Sequence, residues 1–462
     1  MPTHFNYPPV EIQKELRCIA QTLLSSGKGI LAADESVSKM GKRFKEFNVE
    51  NTEDLRRQWR QLLFTTDRKM SDYIAGVILF QETLYQKDEN GRLLIEHLKE
   101  RCIIPGIKVD TGLVNLFTSE NEVATQGLDD LESRLAQYKL DGCEFAKWRC
   151  TFKITANTPS YRALVTNADM LARYASICQS QRLCPIIEPE VLPEGDHDLE
   201  RCQKVTETVL SFVYRALNDH HVFLEGTILK PNMVTPGLTS QSNANASQIA
   251  KATVTTMRRV VPPAVPGIFF SSGGQTEEEA TVNLNAINLE TGQKPWRLTF
   301  AFGRALQMSA MRAWGGKSSQ IQQAQNEFLR RAKANADAST GQYAADRDYQ
   351  AGPAPSPGAP TTPTADASPG IIASPIAEVS PITAPSSASS ATPDSVASSN
   401  PNTSPGKIIP PLIAASPNTV TTEDHSGSES MIGLIGSSQI SDEDYQLDMD
   451  IEQSFNDFPN SL

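Results

Sequence analysis

The stretch GTILKPN, residues 226–232, is one of eight short apolar runs that decide the fold of this chain. A longer segment follows each run, and its apolar residues recur at helical spacing. Outward from residues 226–232, the other runs are GKGILAADE (27–35), YIAGVILF (73–80), IIPGIKVD (103–110), CEFAKWRC (143–150), PIIEPEV (185–191), GIFFSSGG (267–274) and LTFAFG (298–303). The alternation predicts repeated βα units, which build a parallel sheet rather than a sandwich.

Eight strands that alternate with helices favour a closed (β/α)8 barrel, or TIM barrel. The main alternative is an open doubly wound sheet, which usually has fewer strands and a glycine-rich phosphate motif after the first. No GxGxxG motif occurs in this chain. We therefore predict an α/β protein with a barrel over residues 1–345, flanked by extra helices at 10–25 and 319–336. The other predicted helices are 52–68, 127–140, 160–180, 198–219, 275–290 and 304–314.

The C-terminal part of the chain differs from the rest in composition. Residues 351–462 hold one basic residue, Lys407, and 13 acidic ones, which accounts for the whole formal net charge of −12. Their Ser, Pro, Ala and Thr content is too polar to bury a core, so we predict a disordered tail over residues 346–462. The first 350 residues carry 41 basic and 41 acidic side chains, which gives no reason to expect nucleic acid or a membrane as a partner.

Two features of the tail suggest a partner. Residues 441–458 interleave acids with apolar side chains, a spacing that can form an amphipathic helix against another protein, although an acidic end can also serve solubility alone. Six Ser-Pro pairs suit proline-directed kinases, although extended linkers commonly contain such pairs. These pairs begin at Ser356, Ser368, Ser374, Ser380, Ser404 and Ser416.

Several features predict a cytoplasmic protein without a metal or cofactor. No stretch reaches the roughly 18 consecutive apolar residues that a membrane helix needs, and the start MPTHFNYPPV lacks the pattern of a secretion signal. The seven cysteines form no CxxC pair and suit reduced thiols. His220 and His221 are adjacent, so their side chains point in different directions on a helix and do not favour a shared metal site.

Catalytic groups in a (β/α)8 barrel project from the carboxyl ends of the strands. A single buried lysine or glutamate there is more often part of a structural ion pair, but several that converge on one mouth are better explained by catalysis. Seven of the eight runs end in ionisable or phosphate-suited residues, which are Asp34, Lys108, Asp110, Lys147, Arg149, Glu188, Glu190, Lys230, Ser272, Gly273, Gly303 and Arg304.

Lys230 follows Thr-Ile-Leu and precedes the proline that ends its strand. Such a lysine loses hydration, and a second ammonium nearby, such as Lys147, further disfavours its charged form. The partly neutral amine could attack a carbonyl and form a Schiff base, which accepts electrons when a neighbouring carbon–carbon bond breaks. The alternative is a lysine that pairs with Glu188 and does not react.

Three carboxylates could serve this lysine. Glu188 is suited to give and take back a proton if burial among apolar neighbours keeps it protonated. Glu190 lies two residues later on the same strand face. One of the two neutralises Lys147, and the sequence leaves the assignment open. Asp34 either orients the lysine amine or accepts the proton from the hydroxyl whose carbon–carbon bond breaks.

Two groups of residues suit phosphates at the two ends of a substrate. One group follows strands seven and eight, where barrels commonly bind phosphate with backbone N–H groups and a helix N-terminus. It comprises Ser272, Gly273, Gly303 and Arg304. The second group, expected at the other end, comprises Ser36, Lys42, Arg43, Lys108 and Arg149.

Eight strings together resemble class I fructose-bisphosphate aldolases from about residue 5 to residue 345: GKGILAADES, AGVILFQETLYQ, GIKVD, EFAKWRC, IIEPEVLPEGDHDL, EGTILKPNMVTPG, SSGGQTEEEA and FGRALQ. The resemblance implies that Lys230 forms the Schiff base, that Glu188 shuttles protons, and that Asp34, Lys147 and Glu190 support them. It also implies reversible cleavage of fructose 1,6-bisphosphate to dihydroxyacetone phosphate and glyceraldehyde 3-phosphate in glycolysis and gluconeogenesis. The family works without a metal and usually as a homotetramer.

Three departures from the family pattern change the expectations about rate and substrate. Val37-Ser38-Lys39 stands where the family commonly has Thr-Gly-Ser, and Ala301-Phe302 stands where it usually has Ser-Tyr. The C-terminal tyrosine that helps proton exchange in animal-type members has no match in NDFPNSL, so slower protonation of the enamine is expected. A weakly active scaffold or regulatory protein that acts through its tail is therefore a second hypothesis.

Overall fold

The computed structural model describes residues 8–344 apart from Thr118 and Glu120. The predicted tail over 346–462, with its Ser-Pro pairs and acidic segment, lies outside the described residues. The boundary between barrel and tail therefore stays a prediction.

Eight parallel strands close into a barrel, which confirms the predicted fold. The order around the barrel is β1, β2, β3, β6, β7, β8, β9 and β10, and β10 pairs with β1 to complete the circle. Strands β4 and β5 form a separate antiparallel hairpin that the sequence analysis did not predict. The strands are β1 Gly29–Ala33, β2 Ile74–Leu79, β3 Ile104–Lys108, β4 Gly112–Asn115, β5 Val123–Gln126, β6 Phe145–Phe152, β7 Cys184–Val191, β8 Ile228–Leu229, β9 Gly267–Phe270 and β10 Arg297–Phe302.

Thirteen α-helices are found in the described part of the chain, and two short 3₁₀ turns lie at Leu224–Gly226 and Ser318–Gln320. None of these helices is both long and apolar enough to cross a membrane. The helices are α1 Val10–Leu23, α2 Val37–Glu46, α3 Glu53–Phe64, α4 Met70–Tyr73, α5 Gln81–Tyr85, α6 Leu94–Glu100, α7 Leu131–Leu140, α8 Tyr161–Ser180, α9 Leu199–Asp219, α10 Ala246–Val260, α11 Glu277–Leu289, α12 Arg304–Trp314 and α13 Ile321–Ala338.

The eight predicted helices are all present, but the sequence analysis missed five others: α2, α4, α5, α6 and α10. Helix α10 is rich in β-branched residues, which have low helix propensity. A capping box between Asn245 and Gln248 starts it, and burial of Ile249 and Met257 holds it against its neighbours. Helix α7 begins at Leu131 rather than at residue 127, because Asp130 has a left-handed φ of 52° that does not continue a helix backwards.

Alternation along the strands produces two apolar cores. Side chains such as Ile30, Ile186 and Phe269 point into the barrel and form one buried cluster, because successive side chains on a strand point to opposite faces. Their sequence neighbours, including Leu31 and Ile187, point outward and pack under the helices in a second, larger cluster. The inner core fills the barrel, so any cavity must lie above it.

Helix α1 was expected to flank the barrel, but it closes one of its ends. Its buried residues Leu16 and Leu23 belong to the inner core cluster. A Cβ added to Gly76 would lie 2.6 Å from Leu23, and one added to Gly267, the first residue of β9, would lie 2.1 Å from Leu24. The helix therefore covers the amino ends of the strands, which leaves the carboxyl ends open to solvent.

Truncation of Leu23 to alanine is expected to lower the free energy of unfolding by about 2–5 kcal/mol, because it leaves a cavity where α1 closes the barrel. Val10→Ala on the same helix is the control, since Val10 is 61% exposed and Leu23 is fully buried. Urea unfolding followed by circular dichroism measures both. Equal effects of the two substitutions would contradict this role of α1.

Candidate active site

A cavity of about 290 Å³ lies above the inner core, at the carboxyl ends of the strands. The strand alternation that fills the barrel with Phe145 and Ile186 also brings the next inward residues, Lys147 and Glu188, to its upper edge. The apolar filling below and the ionisable layer above are thus consequences of one pattern. The same pattern continues at Lys230, two residues after the buried Ile228.

Lys230 lies almost wholly out of solvent at the floor of the cavity, with 5% of its surface exposed. Its backbone N–H donates to the carbonyl of Ile187 at 2.8 Å, which extends the pairing of β8 with β7 by one residue. Its ammonium donates to Oε1 of Glu188. The sequence left two alternatives open, a lysine that forms a Schiff base and a lysine that only pairs with Glu188. The contact by itself is compatible with both.

Glu188 lies between two lysines. While Oε1 faces Lys230, Oε2 lies 3.4 Å from Nζ of Lys147. Lys147 also lies 2.7 Å from Oδ2 of Asp34 and 3.9 Å from Oδ2 of Asp110. The question that the sequence left open is thereby answered: Glu188, with Asp34, faces Lys147.

The electrostatics keep Lys147 charged. Burial lowers the pKa of Lys147, but the carboxylates of Asp34, Glu188 and Asp110 outweigh it and raise that pKa above its usual range. Burial raises the pKa of Asp34, but the ammonium of Lys147 outweighs it and holds that pKa far below the usual value. A permanent ammonium and a permanent carboxylate therefore lie beside Glu188 and Lys230.

Glu190 has a different partner from Glu188. Its Oε2 accepts from Nε of Arg149 at 2.5 Å, and its Oε1 accepts from the hydroxyl of Ser271 at 3.4 Å. Burial raises the pKa of Glu190, but Arg149 and Lys230 outweigh it and lower that pKa. A Cβ on Gly273 would lie 2.7 Å from Oε1 of Glu190, so a larger residue there would displace this carboxylate.

Lys108 lies at the end of β3, on another side of the cavity. Its ammonium is 2.9 Å from Oδ1 of Asp110 and 5.9 Å from the ring centre of Phe80. Burial raises the pKa of Asp110, but Lys108 and Lys147 outweigh it and lower that pKa. Asp110 is thus a charged link between the two lysines.

Arg43 on α2 lies close to the end of β10. Its Nη1 contacts Oε1 of Glu35, and its Nη2 lies 3.5 Å from the position that a Cβ on Gly303 would take. Arg43 was expected with Lys108 and Arg149, whereas this contact places it beside Gly303, the residue before Arg304. Gly303 precedes α12, whose first-turn N–H groups suit an anion.

The structure brings thirteen of the fourteen predicted site residues to one cavity. Lys42 is the exception, because it is exposed on α2 and does not line the cavity. Successive residues on a helix are about 100° apart, so Lys42 and Arg43 cannot share a face. The thirteen that line the cavity are Asp34, Ser36, Arg43, Lys108, Lys147, Arg149, Glu188, Glu190, Lys230, Ser272, Gly273, Gly303 and Arg304.

Three polar residues of the cavity lining were not predicted from the sequence: Glu35, Lys39 and Ser271. A fourth, Asp110, was placed at a strand end but was given no role. Lys39 and Arg43 are four residues apart and therefore lie on one face of α2, but that helix was not predicted. Ser36 caps it by accepting from the N–H of Lys39 at 3.4 Å. The lining also includes Ala301, so the departures at Lys39 and Ala301 both fall at the cavity.

Comparison with known proteins gives one consistent family. The family model described as fructose-bisphosphate aldolase class-I matches residues 15–355. The chain belongs to this family. It is 64% identical over 345 residues to a fructose-bisphosphate aldolase of Drosophila melanogaster, a match that covers 75% of this chain and 95% of that one. It is 55% identical over 343 residues to the muscle-type fructose-bisphosphate aldolase of Lethenteron camtschaticum, covering 74% and 94%.

A solved structure supports the same family. Fructose-bisphosphate aldolase from Plasmodium falciparum, in a ternary co-crystal with TRAP and a small-molecule inhibitor, is 48% identical in sequence and gives a TM-score of 0.71. The match covers 73% of this chain and 97% of that one. The matched part of this chain therefore corresponds to nearly the whole of the solved structure.

Asp34→Asn is expected to lower the free energy of unfolding at pH 7 by about 3 kcal/mol, because it removes a carboxylate from the buried Lys147. The folded-state pKa of Asp34 is lowered, so its contribution is present above the unfolded pKa of about 3.9 and is lost as the pH falls towards the folded value. The gap between wild type and variant should thus be constant from pH 7 to 5 and shrink below about pH 4.

Urea unfolding at pH 7, 5, 4 and 3 measures this gap. The control is Asp54→Asn, because Asp54 pairs with Arg57 on the protein surface and its side chain is 64% exposed. A gap that stays the same at pH 3 would show that Asp34 is not held ionised by Lys147.

Proposed function

We infer that this protein is a fructose-bisphosphate aldolase, a lyase that cleaves fructose 1,6-bisphosphate reversibly to dihydroxyacetone phosphate and glyceraldehyde 3-phosphate in glycolysis and gluconeogenesis. The observation that carries the assignment is the cluster around Lys230, in which Glu188 faces both Lys230 and a Lys147 that Asp34 and Asp110 keep charged. Family membership and the named relatives support the same activity. The alternative of a weakly active scaffold is not favoured.

The first step joins Lys230 to the substrate ketone. Its ammonium gives a proton to Glu188 along the contact between them. The neutral amine then attacks the ketone carbon, and a proton passes from its nitrogen to the oxygen to give a carbinolamine. The carbinolamine hydroxyl takes up a second proton and leaves as water, which gives a protonated imine. Glu188 supplies that proton, so each proton it accepts is returned. Lys147 stays charged and stabilises negative charge on the oxygen during the attack.

The second step breaks the carbon–carbon bond. Its electron pair moves into the protonated imine to give an enamine. The hydroxyl on the departing carbon gives its proton to Glu188, which is ionised again after the first step, and becomes the aldehyde. Asp34 is ionised and can accept a proton, but its 2.7 Å contact with Lys147 makes orientation of that ammonium its main role. Glu190 holds Arg149 in place at the cavity wall.

Two groups of basic side chains suit the two phosphates. Arg43 and Arg304 lie with Gly303 on one side, whereas Lys108 ends β3 and Arg149 lies in the second half of β6. Ser272 and Gly273 follow β9 and extend the first group, while Ser36 caps α2 above β1. In the order of strands around the barrel, β8 lies between β6 and β9, so Lys230, which follows β8, lies between the two groups.

Borohydride reduction in the presence of dihydroxyacetone phosphate tests this function. The expected result is a reduced adduct that peptide mass mapping places on Lys230. The Lys230→Met variant should give no adduct and no cleavage. The control is Lys139→Met, because Lys139 pairs with Glu15 and Glu144 away from the cavity. Wild-type protein without an adduct, or a methionine variant that still cleaves the sugar, would overturn the assignment.

We propose that the protein is a cytoplasmic homotetramer. All seven cysteines lie within the described residues, none forms a disulfide, and five are buried, which suits a reducing compartment. Tyr161 and Val165 on α8 are 74% and 41% exposed, and Tyr161 meets Phe212 edge-on with ring centres 5.7 Å apart. An exposed apolar surface of this kind suits contact with a second copy of the chain. A kinase or protein partner of the tail stays a prediction from the sequence.

Val165→Glu is expected to reduce the mass of the native particle below that of four chains, because it places a charge in the proposed contact. Light scattering after size-exclusion chromatography measures the mass. Leu289→Glu serves as the control, since Leu289 is 61% exposed on α11. A wild-type monomer, or an unchanged mass of the Val165 variant, would count against the proposed contact.

A further inference from the structure

A buried ion network lies beside the Gly303 side of the cavity, and the chemistry of Lys230 does not use it. At its centre is Glu35, which follows Asp34 after β1 and is 8% exposed. Oε1 of Glu35 contacts Nη1 of Arg43, and Oε2 lies 2.7 Å from Nη2 of Arg60. Arg60 lies on α3, is 2% exposed and does not line the cavity.

A neutral residue fixes the carboxylate from a third direction. Gln307 on α12 donates to Oε1 of Glu35 at 3.0 Å and to the carbonyl of Ala32 at 2.9 Å. It accepts in turn from the indole N–H of Trp59 at 3.1 Å. Both residues are fully buried. Helix α3, through Arg60, and helix α12, through Gln307, thus hold Glu35 in one orientation. Glu35 in turn binds one edge of the Arg43 guanidinium.

The other edge of Arg43 faces the backbone that starts α12. Its Nη2 is 3.5 Å from the place of a Cβ on Gly303, and Arg304 is the next residue. Glycine leaves space at this point, and the first-turn N–H groups of α12 favour an anion there. Arg43 is therefore oriented so that one guanidinium edge is bound by the protein and the other remains available.

The charges in the network explain why two arginines surround one carboxylate. Glu35 and Arg43 alone would form a neutral pair, which attracts an anion weakly. Arg60 adds a second positive charge, and solvent screens it little because it is buried. Burial raises the pKa of Glu35, but Arg43 and Arg60 outweigh it and lower that pKa, so the carboxylate is ionised. The three side chains together carry one net positive charge.

We propose that Arg60 is a positioning residue for phosphate recognition, which balances the charge of Glu35 so that Arg43 can bind a substrate phosphate beside Gly303 and Arg304. The identity of that phosphate as part of a sugar rests on the proposed function. The anion site itself rests only on the contacts of Glu35, Arg43 and Arg60.

Binding of inorganic phosphate, measured by calorimetry at constant ionic strength, tests the anion site without turnover. Arg60→Met is expected to weaken phosphate binding about tenfold, as the loss of one nearby, poorly screened charge implies. Arg60→Lys restores the charge and should bind within about threefold of wild type. Arg60→Gln keeps a donor but loses the charge, so it gives the same test if the methionine variant does not fold.

The matched control is Arg56→Met. Arg56 lies one turn earlier on α3, is 9% exposed and pairs with Glu82 at 2.6 Å, and neither residue lines the cavity. The Arg56→Met variant therefore loses a similar ion pair, but the network around Glu35 stays unchanged. Its phosphate affinity should equal that of wild type. Unchanged affinity in Arg60→Met, or an equal loss in both methionine variants, would overturn the proposal.

Borohydride trapping gives a second readout. Arg60→Met should need about tenfold more dihydroxyacetone phosphate for half-maximal adduct on Lys230, but the same concentration of dihydroxyacetone, which has no phosphate. If Arg60 only stabilised the fold of the site, its substitution would raise the half-maximal concentrations of both dihydroxyacetone phosphate and dihydroxyacetone. That result would contradict the proposal. Absence of any adduct in wild type would instead remove the proposed function, while the phosphate measurement would still decide the role of Arg60.

Discussion

The carboxylate of Glu188 lies between the ammonium groups of Lys147 and Lys230 in a buried position, and the rest of the site depends on that arrangement. A buried carboxylate between two lysines is stable only if its surroundings are fixed, because an unpaired charge in the interior costs several kcal/mol. The barrel supplies this fixation. Adjacent strands β6, β7 and β8 carry the three residues, so strand pairing sets their separations.

The two lysines differ in their partners, and this difference separates their roles. Lys147 faces the carboxylates of Asp34, Glu188 and Asp110, which raise its pKa and keep it charged. The ammonium of Lys230 contacts the carboxylate of Glu188. A permanent cation beside a lysine with one exchangeable proton partner is the arrangement that Schiff-base formation requires. The same end of the barrel thus holds a fixed charge on β6 and the proposed nucleophile after β8.

Much of the fold was predictable because its cause is local. Eight apolar runs with helical segments between them were enough to predict the barrel. The polar residues that end those runs were predicted at its mouth because catalytic groups project from the carboxyl ends of barrel strands. The missed helices were short or rich in residues of low helix propensity, such as α10 with its β-branched residues. Tertiary packing and caps stabilise such helices, and a single-sequence pattern does not record that packing. The role of α1 was missed for the same reason.

The sequence by itself determined the residue types at the strand ends and, because catalytic groups project from those ends in a barrel, that Lys147, Glu188 and Lys230 meet at one mouth. Only the tertiary structure decided which charges meet. Lys42 and Arg43 are neighbours in the chain, yet a helix turns them to different sides, and Arg43 lies at Gly303 rather than with Lys108. Arg60 and Gln307 are far apart in sequence, and both reach Glu35 only after the barrel closes. Ion pairing depends on distances of a few ångströms across elements, which sequence spacing does not encode.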